Sequence, residues 1–315
     1  IIIILEPIND IQLFSKIIGE GKDIVFLKFF SWTLYDKPYL LDRTIFDYKR
    51  HLQNYPRHRL ILLLNTQEEY NYFKKNDIDC YFINHNSFVD PQLFKPCDTA
   101  KEYDVVYNGR LELGKRHYLL KLCKSIALIS APILRQNEQK KKYLEVLRDS
   151  IPNAKILNFP DGINLGAIQS LENIPQLQPE SISKILNLSK VGVILSYKEG
   201  ACYASIEYLL SGIPLVTTKN IGGRDIFFDD RFCIRSLSNS FSVQHNIQRL
   251  IEKDIKPNII REATLIKMKP HIDRMKNLIL NIFKLYGNGN IDIEKFWKDK
   301  FINKMLKISQ KFPEE

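Results

Sequence analysis

The sequence predicts an α/β protein of two Rossmann-like units that face each other across a cleft. Three observations carry the prediction. Over 103–236, apolar runs of strand length alternate with stretches of helical periodicity. The first hundred residues repeat that alternation on a smaller scale. Between the two lies a polar stretch, His85 to Glu102, broken by Pro91 and Pro96, with the composition of an interdomain linker. Strands separated by helices form right-handed βαβ crossovers, which build parallel sheets covered on both faces.

In the first unit, strands are expected at Ile1–Leu5, Asp23–Phe29, Arg59–Asn65 and Cys80–Asn84, with helices at 9–19, 40–53 and 66–75. In the second, strands are expected at Asp104–Asn108, Ala127–Leu134, Ala154–Phe159, Val191–Ser196, Pro214–Thr218 and Phe232–Ser236. Helical patterns lie between them at 114–124, 138–150, 180–189 and 202–211. After 237 the pattern is helical to the end. A last helix over 292–312 sets Trp297, Phe301, Met305, Ile308 and Phe312 at steps of three and four. Such a stripe suits a basic membrane anchor or a helix packed across the two units, and packing is the reading adopted because an apolar helix face is usually core.

An apolar content of 44% and a charged content of 26% are those of an ordinary globular protein, and 315 residues are ample for two cores. No apolar run reaches the length of a membrane span. The aliphatic start is cut off by Glu6 and Pro7, so it reads as a buried strand and not as a signal peptide. Cys80, Cys97, Cys123, Cys202 and Cys233 are widely spaced and form no CxxC pair. That argues against a zinc site or a disulfide framework and fits a reducing compartment, the cytoplasm. The net charge of +10, with lysines crowding Lys253 to Lys311, marks either a solvated basic face or a surface for nucleic acid, anionic membrane or a phosphorylated substrate.

Two segments carry the candidate chemistry. In Ser196–Thr217, Glu199 stands in the loop after an apolar strand and Glu207 inside an otherwise apolar helix, which Gly212 and Pro214 end. Acids so placed need polar partners, and sugar hydroxyls are natural ones. In Val106–Arg116, Gly109 permits a tight turn after a strand, and Arg110 and Lys115 flank a short loop. Two cations at the carboxyl end of a strand suit a diphosphate. Ligands of parallel α/β sheets sit at those ends.

These residues resemble the retaining GT-B glycosyltransferases of the "glycosyl transferases group 1" type. That family carries G-R-x(4)-K, matched by Gly109, Arg110 and Lys115, and E-x(7)-E, matched by Glu199 and Glu207. A G-x-P turn follows at Gly212-Ile213-Pro214 and a Gly-Gly pair at Gly222-Gly223. The linker INHNSFVDPQLFKP, with Asp90, Phe94 and Pro96, matches the family's D-x(3)-F-x-P segment after an Asn-rich turn. The resemblance covers about 80–240. It implies a GT-B-like fold with a reduced N-terminal, acceptor-side unit and linker (1–100), a nucleotide-sugar-binding unit (101–290) and a terminal helix across both (291–315).

The resemblance also implies roles. Arg110 and Lys115 would bind the donor diphosphate, Glu199 the donor-sugar hydroxyls and Glu207 the ribose. The backbone amides of Gly200, Ala201 and Cys202 would face the sugar or its phosphate. Asn158 and Phe159, at a strand end, are placed where a base could rest. The implied activity is retaining, metal-independent transfer of a hexosyl-type sugar from a nucleotide-diphosphate donor, with no cofactor, to a glycan or lipid-linked acceptor. A peripheral contact with anionic membrane would give the basic charge a use. A catalytically inactive GT-B protein that binds a nucleotide sugar or a partner is the alternative. A nucleic-acid-binding protein ranks last, since no such motif is present.

The chain also departs from the family pattern. Gly-Ala-Cys follows Glu199 where many members have Gly-Phe-Gly, and Arg116 stands where many have Gly. Asp225 comes one position early after the Gly-Gly pair, and the first unit lacks a Gly-rich loop after its first strand. Among other candidates, His51 and His58 suit either acceptor-side polar groups or surface positions, with the surface reading adopted, while His85 is expected at the cleft and His117 in a structural role. Asp77 with Asp79 and Asp229 with Asp230 read as turns, and Cys202 as a small packing residue.

Overall fold

A computed structural model of the chain describes residues 2–6, 15, 21–132, 137–287 and 291–301. The first sheet holds four parallel strands in the order β1-β2-β3-β4: β1 (Ile2–Glu6), β2 (Ile24–Phe29), β3 (His58–Leu64) and β4 (Cys80–Phe82). Alternate residues of β2 and β3 serve different cores. Ile24, Phe26, Leu60, Leu62 and Leu64 pack under α1 (Pro38–Asn54) and α2 (Gln67–Lys75) with Leu41, Tyr48 and Phe73. Val25, Leu27, Phe29, Ile61 and Leu63 pack on the opposite face. That is why these strands read as continuous apolar runs. Pro38 starts α1 at a position where its missing N–H is not needed, and the Thr66 hydroxyl caps α2 by accepting from Glu69 N at 3.1 Å.

The second sheet has seven strands in the order β11-β10-β9-β5-β6-β7-β8. They are β5 (Tyr103–Asn108), β6 (Ile126–Ile129), β7 (Lys155–Ile156), β8 (Ile163–Asn164), β9 (Ser189–Ile194), β10 (Leu215–Thr218) and β11 (Cys233–Ser236). All pairs are parallel except β7 with β8. α3 (Glu138–Ser150), α4 (Pro179–Asn187), α5 (Tyr203–Leu210) and α6 (Ser240–Lys253) lie in its crossovers and after its last strand. The strand order turns back on itself between β5 and β9. Their carboxyl ends therefore splay apart and open the crevice in which ligands of such sheets sit.

The helix α7 (Pro257–Leu285) joins the two sheets. Ile260 and Met268 belong to the core of the second, whereas Met275, Leu278, Ile279 and Ile282 belong to that of the first. Pro270 lies inside the helix at the change-over, and His271 Nδ1 there accepts from Asn84 N at 3.1 Å. Phe94 of the linker inserts into the core of the second sheet, and Arg261 on α7 caps the Phe94, Pro91 and Leu210 carbonyls at 2.6–2.8 Å.

Several expectations are corrected. No α-helix forms over 114–124; two short 3-10 turns, Leu113–Lys115 and His117–Leu120, stand there. Arg116 between them takes a left-handed backbone, φ 55°, which stops helix propagation. His51 and His58 are buried, 2% and 5% exposed, with His51 packed edge-on to Phe26 and His58 stacked on Tyr55. Burial holds the His51 imidazole at about 4. The terminal segment is a helical turn Ile293–Phe296 followed by a wider turn Trp297–Phe301. Trp297 and Phe301 pack against Phe88 and the core of the first sheet. The helix α7 crosses between the sheets, and the described part of the terminal segment packs on the core of the first. Met305, Ile308, Phe312 and the helix expected at 9–19, Ser15 apart, lie outside the described residues. All five cysteines are free. No described helix is long and apolar enough to cross a membrane.

Candidate active site

The crevice between β5 and β9 collects most of the residues singled out in the sequence. β5 ends at Asn108, and the chain turns at Gly109, where a Cβ would lie 3.1 Å from the Tyr107 ring. The 3-10 turn Leu113–Lys115 then presents Lys115. After Lys115 the backbone takes a positive φ, 55° at residue 116, which glycine would adopt without strain. Arg116 is held there by its own side chain. Its guanidinium donates to Leu195 O and Thr218 Oγ1, each at 2.6 Å, and to Ser238 Oγ at 3.2 Å. His117 is buried, stacks on Tyr107 at 4.3 Å and has the structural role expected of it.

Across the crevice, β9 runs into the loop that carries Glu199. This loop is zipped to the Gly-Gly loop: Ile221 N donates to Tyr197 O (3.0 Å), Glu199 N to Ile221 O (3.2 Å) and Gly223 N to Gly200 O (2.6 Å). The fit demands glycine. A Cβ on Gly222, φ 118°, would fall 1.8 Å from Glu199 O. One on Gly200 would fall 2.4 Å from Ser31 O, in the loop after β2. The loop after β2 thus packs directly on the Glu199 loop.

Lys115 and Glu199, 84 residues apart, form a buried ion pair. The cation and the acid predicted to serve one ligand therefore meet in space. Glu207 is partnered as well: Asn108 Nδ2 donates to its Oε2 at 2.9 Å, and the neighbouring Tyr208 hydroxyl accepts from Asn108 N. The N–H groups of Gly200, Ala201 and Cys202 have no acceptor among the described residues. Burial pushes the Cys202 thiol up to about 12, in keeping with a packing role. Arg110 is exposed and makes no ion pair among the described residues. Asn158 and Phe159 sit apart from this group. The Asn158 amide is engaged on both sides, accepting from Ser130 N (2.9 Å) and donating to Ser130 O (2.7 Å) and Pro175 O (2.8 Å). Phe159 packs at the edge of the core.

Burial raises the Glu207 carboxyl to about 7, with the Asn108 amide opposing the rise. The folded protein then keeps a proton that the unfolded chain releases, so stability falls as pH climbs from the ordinary glutamate range to 7. Above 7 both forms are ionised and the full penalty applies, on the order of 3 kcal/mol. Denaturant titrations of the wild type and Glu207→Gln between pH 4.5 and 8 should show this slope in the wild type and its loss in the variant. Identical slopes would remove Glu207 from the account.

Three contributors escaped the sequence reading. Arg224 is fully buried and donates to Ser196 O (3.0 Å), Thr218 O (2.7 Å) and Asp225 Oδ1 (2.6 Å), tying the Glu199 loop to β10. Its signal was an arginine directly after Gly222-Gly223. Asn84 and Asn86 of the linker reach the second sheet. Asn84 Nδ2 donates to Gly223 O at 2.8 Å, and Asn86 Nδ2 to Ala201 O at 2.7 Å. His85 between them is wedged against Phe29 and Tyr203, and burial lowers its imidazole to about 3. Beside Lys115 opens a cavity of about 550 Å³, lined by Trp32, residues 112–116, Tyr118 and residues 196–198.

No protein-family model and no curated protein matches the chain. Solved structures do. The sucrose-phosphate synthase of Thermosynechococcus elongatus superposes with a TM-score of 0.58 at 13% identity, covering 84% of this chain and 69% of its own. Anabaena HepE in complex with UDP gives 0.54 at 16%, covering 82% and 72%. The pneumococcal O-GlcNAc transferase GtfA in complex with UDP and GlcNAc gives 0.50 at 12%, covering 87% and 60%. The fold is GT-B. In the GT-B frame the two sheets are the two Rossmann-like halves, and the β5–β9 crevice opens toward the first half. The chain spans 60–72% of the lengths of these three neighbours.

Proposed function

We propose that the chain is a retaining, metal-independent glycosyltransferase that moves a sugar from a nucleotide diphosphate to a glycan or lipid-linked acceptor. The observation that carries this is the meeting of Lys115 and Glu199 at the β5–β9 switch point, with Glu207 and Asn108 beside them. In this reading Lys115 and Arg110 hold the diphosphate and stabilise the charge that builds on it as the glycosidic bond breaks. Glu199 accepts from donor-sugar hydroxyls, and the unengaged amides at 200–202 face the sugar or its phosphate. Glu207 accepts from the ribose. The acceptor hydroxyl attacks from the side of the leaving group, and the departing phosphate oxygen takes its proton. The neighbours that hold UDP, UDP-glucose or UDP with GlcNAc support a nucleotide-sugar donor.

The test is a thermal-shift screen against nucleoside diphosphates and their sugars, since a ligand bound only by the folded state raises Tm by mass action. At least one nucleotide should stabilise the wild type and not Arg110→Ala. Turnover should fall in both Arg110→Ala and Glu199→Ala. Full transfer by either variant would overturn its role. A second reading, binding without turnover, is favoured by the pressure of Ser31 on Gly200 and the burial of Glu199, 5% exposed. Nucleotide binding with neither donor hydrolysis nor transfer would decide for it.

A further inference from the structure

The cavity beside Lys115 holds exposed aromatic surface that the donor site does not use. We infer that it receives a neutral saccharide ring of the acceptor, stacked on Trp32 and hydrogen-bonded by Glu112; this rests on the transferase reading above. Trp32 stands in the loop after β2 and is 48% exposed. Among the described residues, it is the only one from the first half of the molecule that lines the cavity. Leu113 and Tyr197, each 51% exposed, line the cavity from the second half. Large apolar side chains left open around one cavity mark a surface built for a ligand.

Position decides which part of the reaction the cavity serves. Its walls include Lys115 and run to Lys198, next to Glu199, so it borders the donor-sugar end of the site. Neither Glu207 nor Asn108 lines it, so it does not border the ribose end. The backbone of Trp32 is also pressed to the Glu199 loop: a Cβ on Gly200 would lie 2.8 Å from Trp32 N. A ring on Trp32 is therefore next to the point where the acceptor hydroxyl must meet the donor sugar.

Charge decides the ligand class. Of the cations around the cavity, Lys115 is given to the donor diphosphate in this reading, Lys198 is paired with Asp36, and Arg116 is held by Leu195 O and Thr218. A phosphate-bearing acceptor headgroup would find no free cation among the described lining residues. The Glu112 carboxylate is half-buried and makes no hydrogen bond or ion pair among the described residues, leaving it open to sugar hydroxyls. A flat aromatic face for the C–H side of a pyranose and an acceptor oxygen for its hydroxyls are the two contacts a neutral sugar needs.

The experiment is a glycan array probed with wild type, Trp32→Ala, Trp32→Phe and Glu112→Gln, with the UDP thermal shift recorded on each protein. Wild type and Trp32→Phe should retain a common set of neutral glycans, and Trp32→Ala should lose at least tenfold in apparent affinity for them. Glu112→Gln should weaken the same set. A retained glycan titrated in solution should change the tryptophan emission of the wild type but not of Trp32→Phe, because Trp297, the second tryptophan, is buried in the core of the first sheet and does not line the cavity. Retention of no glycan, of anionic glycans alone, or of the same set by Trp32→Ala would overturn the assignment. The UDP shift should persist in Trp32→Ala. Absence of a shift in the wild type with UDP and with every other nucleoside diphosphate would instead defeat the donor reading and leave the array to judge the cavity by itself.

Discussion

Replacing Lys115 with methionine should reduce sugar transfer by roughly 10²- to 10³-fold, the range for removing a charge that stabilises a leaving group. It should also destabilise the fold. The Lys115 and Glu199 side chains are 16% and 7% exposed, so the variant leaves a carboxylate buried beside no cation. Breaking such a pair from one side costs about 3 kcal/mol. Adding Glu199→Gln removes the stranded charge, so the double variant should melt above the single one while transferring no better. The two readouts therefore separate. Recovery of Tm in the double variant assigns the stability loss to the stranded carboxylate, and loss of transfer by Lys115→Met assayed well below its Tm places Lys115 in the chemistry. A double variant that melts as low as Lys115→Met would mean that the two side chains are not energetically coupled. Full transfer by Lys115→Met would end its assignment to the diphosphate.

Arg224→Met should produce the largest loss of stability of any single change at the site. The guanidinium is 0% exposed and serves carbonyls at Ile194, Ser196 and Thr218 together with the Asp225 carboxylate. Methionine fills much of the volume but donates nothing, so buried acceptors at the ends of β9 and β10 go unpaired. The expected loss is about 3–5 kcal/mol, a fall in Tm on the order of 10 °C. Arg224→Lys should not rescue it, because one ammonium cannot span acceptors that a planar fork reaches in several directions. Arg235 also meets Asp225, at 3.3 Å, but its side chain is 66% exposed. Arg235→Ala should therefore stay within about 0.5 kcal/mol of the wild type. Scanning calorimetry on the three variants checks the ranking, and equal losses for Arg224→Met and Arg235→Ala would refute it.

The strands were legible because burial on both faces writes itself as unbroken apolar runs, as in β2, β3 and β9. The crevice was legible because glycine, arginine and lysine followed one strand while one glutamate stood in the loop after another and a second in the helix beyond it. What was lost depended on contacts distant in the chain. His51 and His58 looked like surface residues because nothing local reports that Phe26 and Tyr55 will enclose them. The stretch 114–124 has helical periodicity, yet Arg116 turns left-handed to reach Leu195 O, 79 residues away. Asn158 had the position of a ligand residue, but its amide answers to the Ser130 and Pro175 backbone. Trp32 carried no motif at all; it matters only because the loop after β2 lands on Gly200.

The helix α7 gives its first turns to one core and its last turns to the other. A chain arranged this way has no seam at which one half can be cut free intact. Either half, expressed by itself, would take a helix with one face bare or lose the helix that closes its sheet. The two lobes are thus a single folding unit in energetic terms, though they are two in architecture. A proteolytic nick near Pro270 would be felt at both sheets at once.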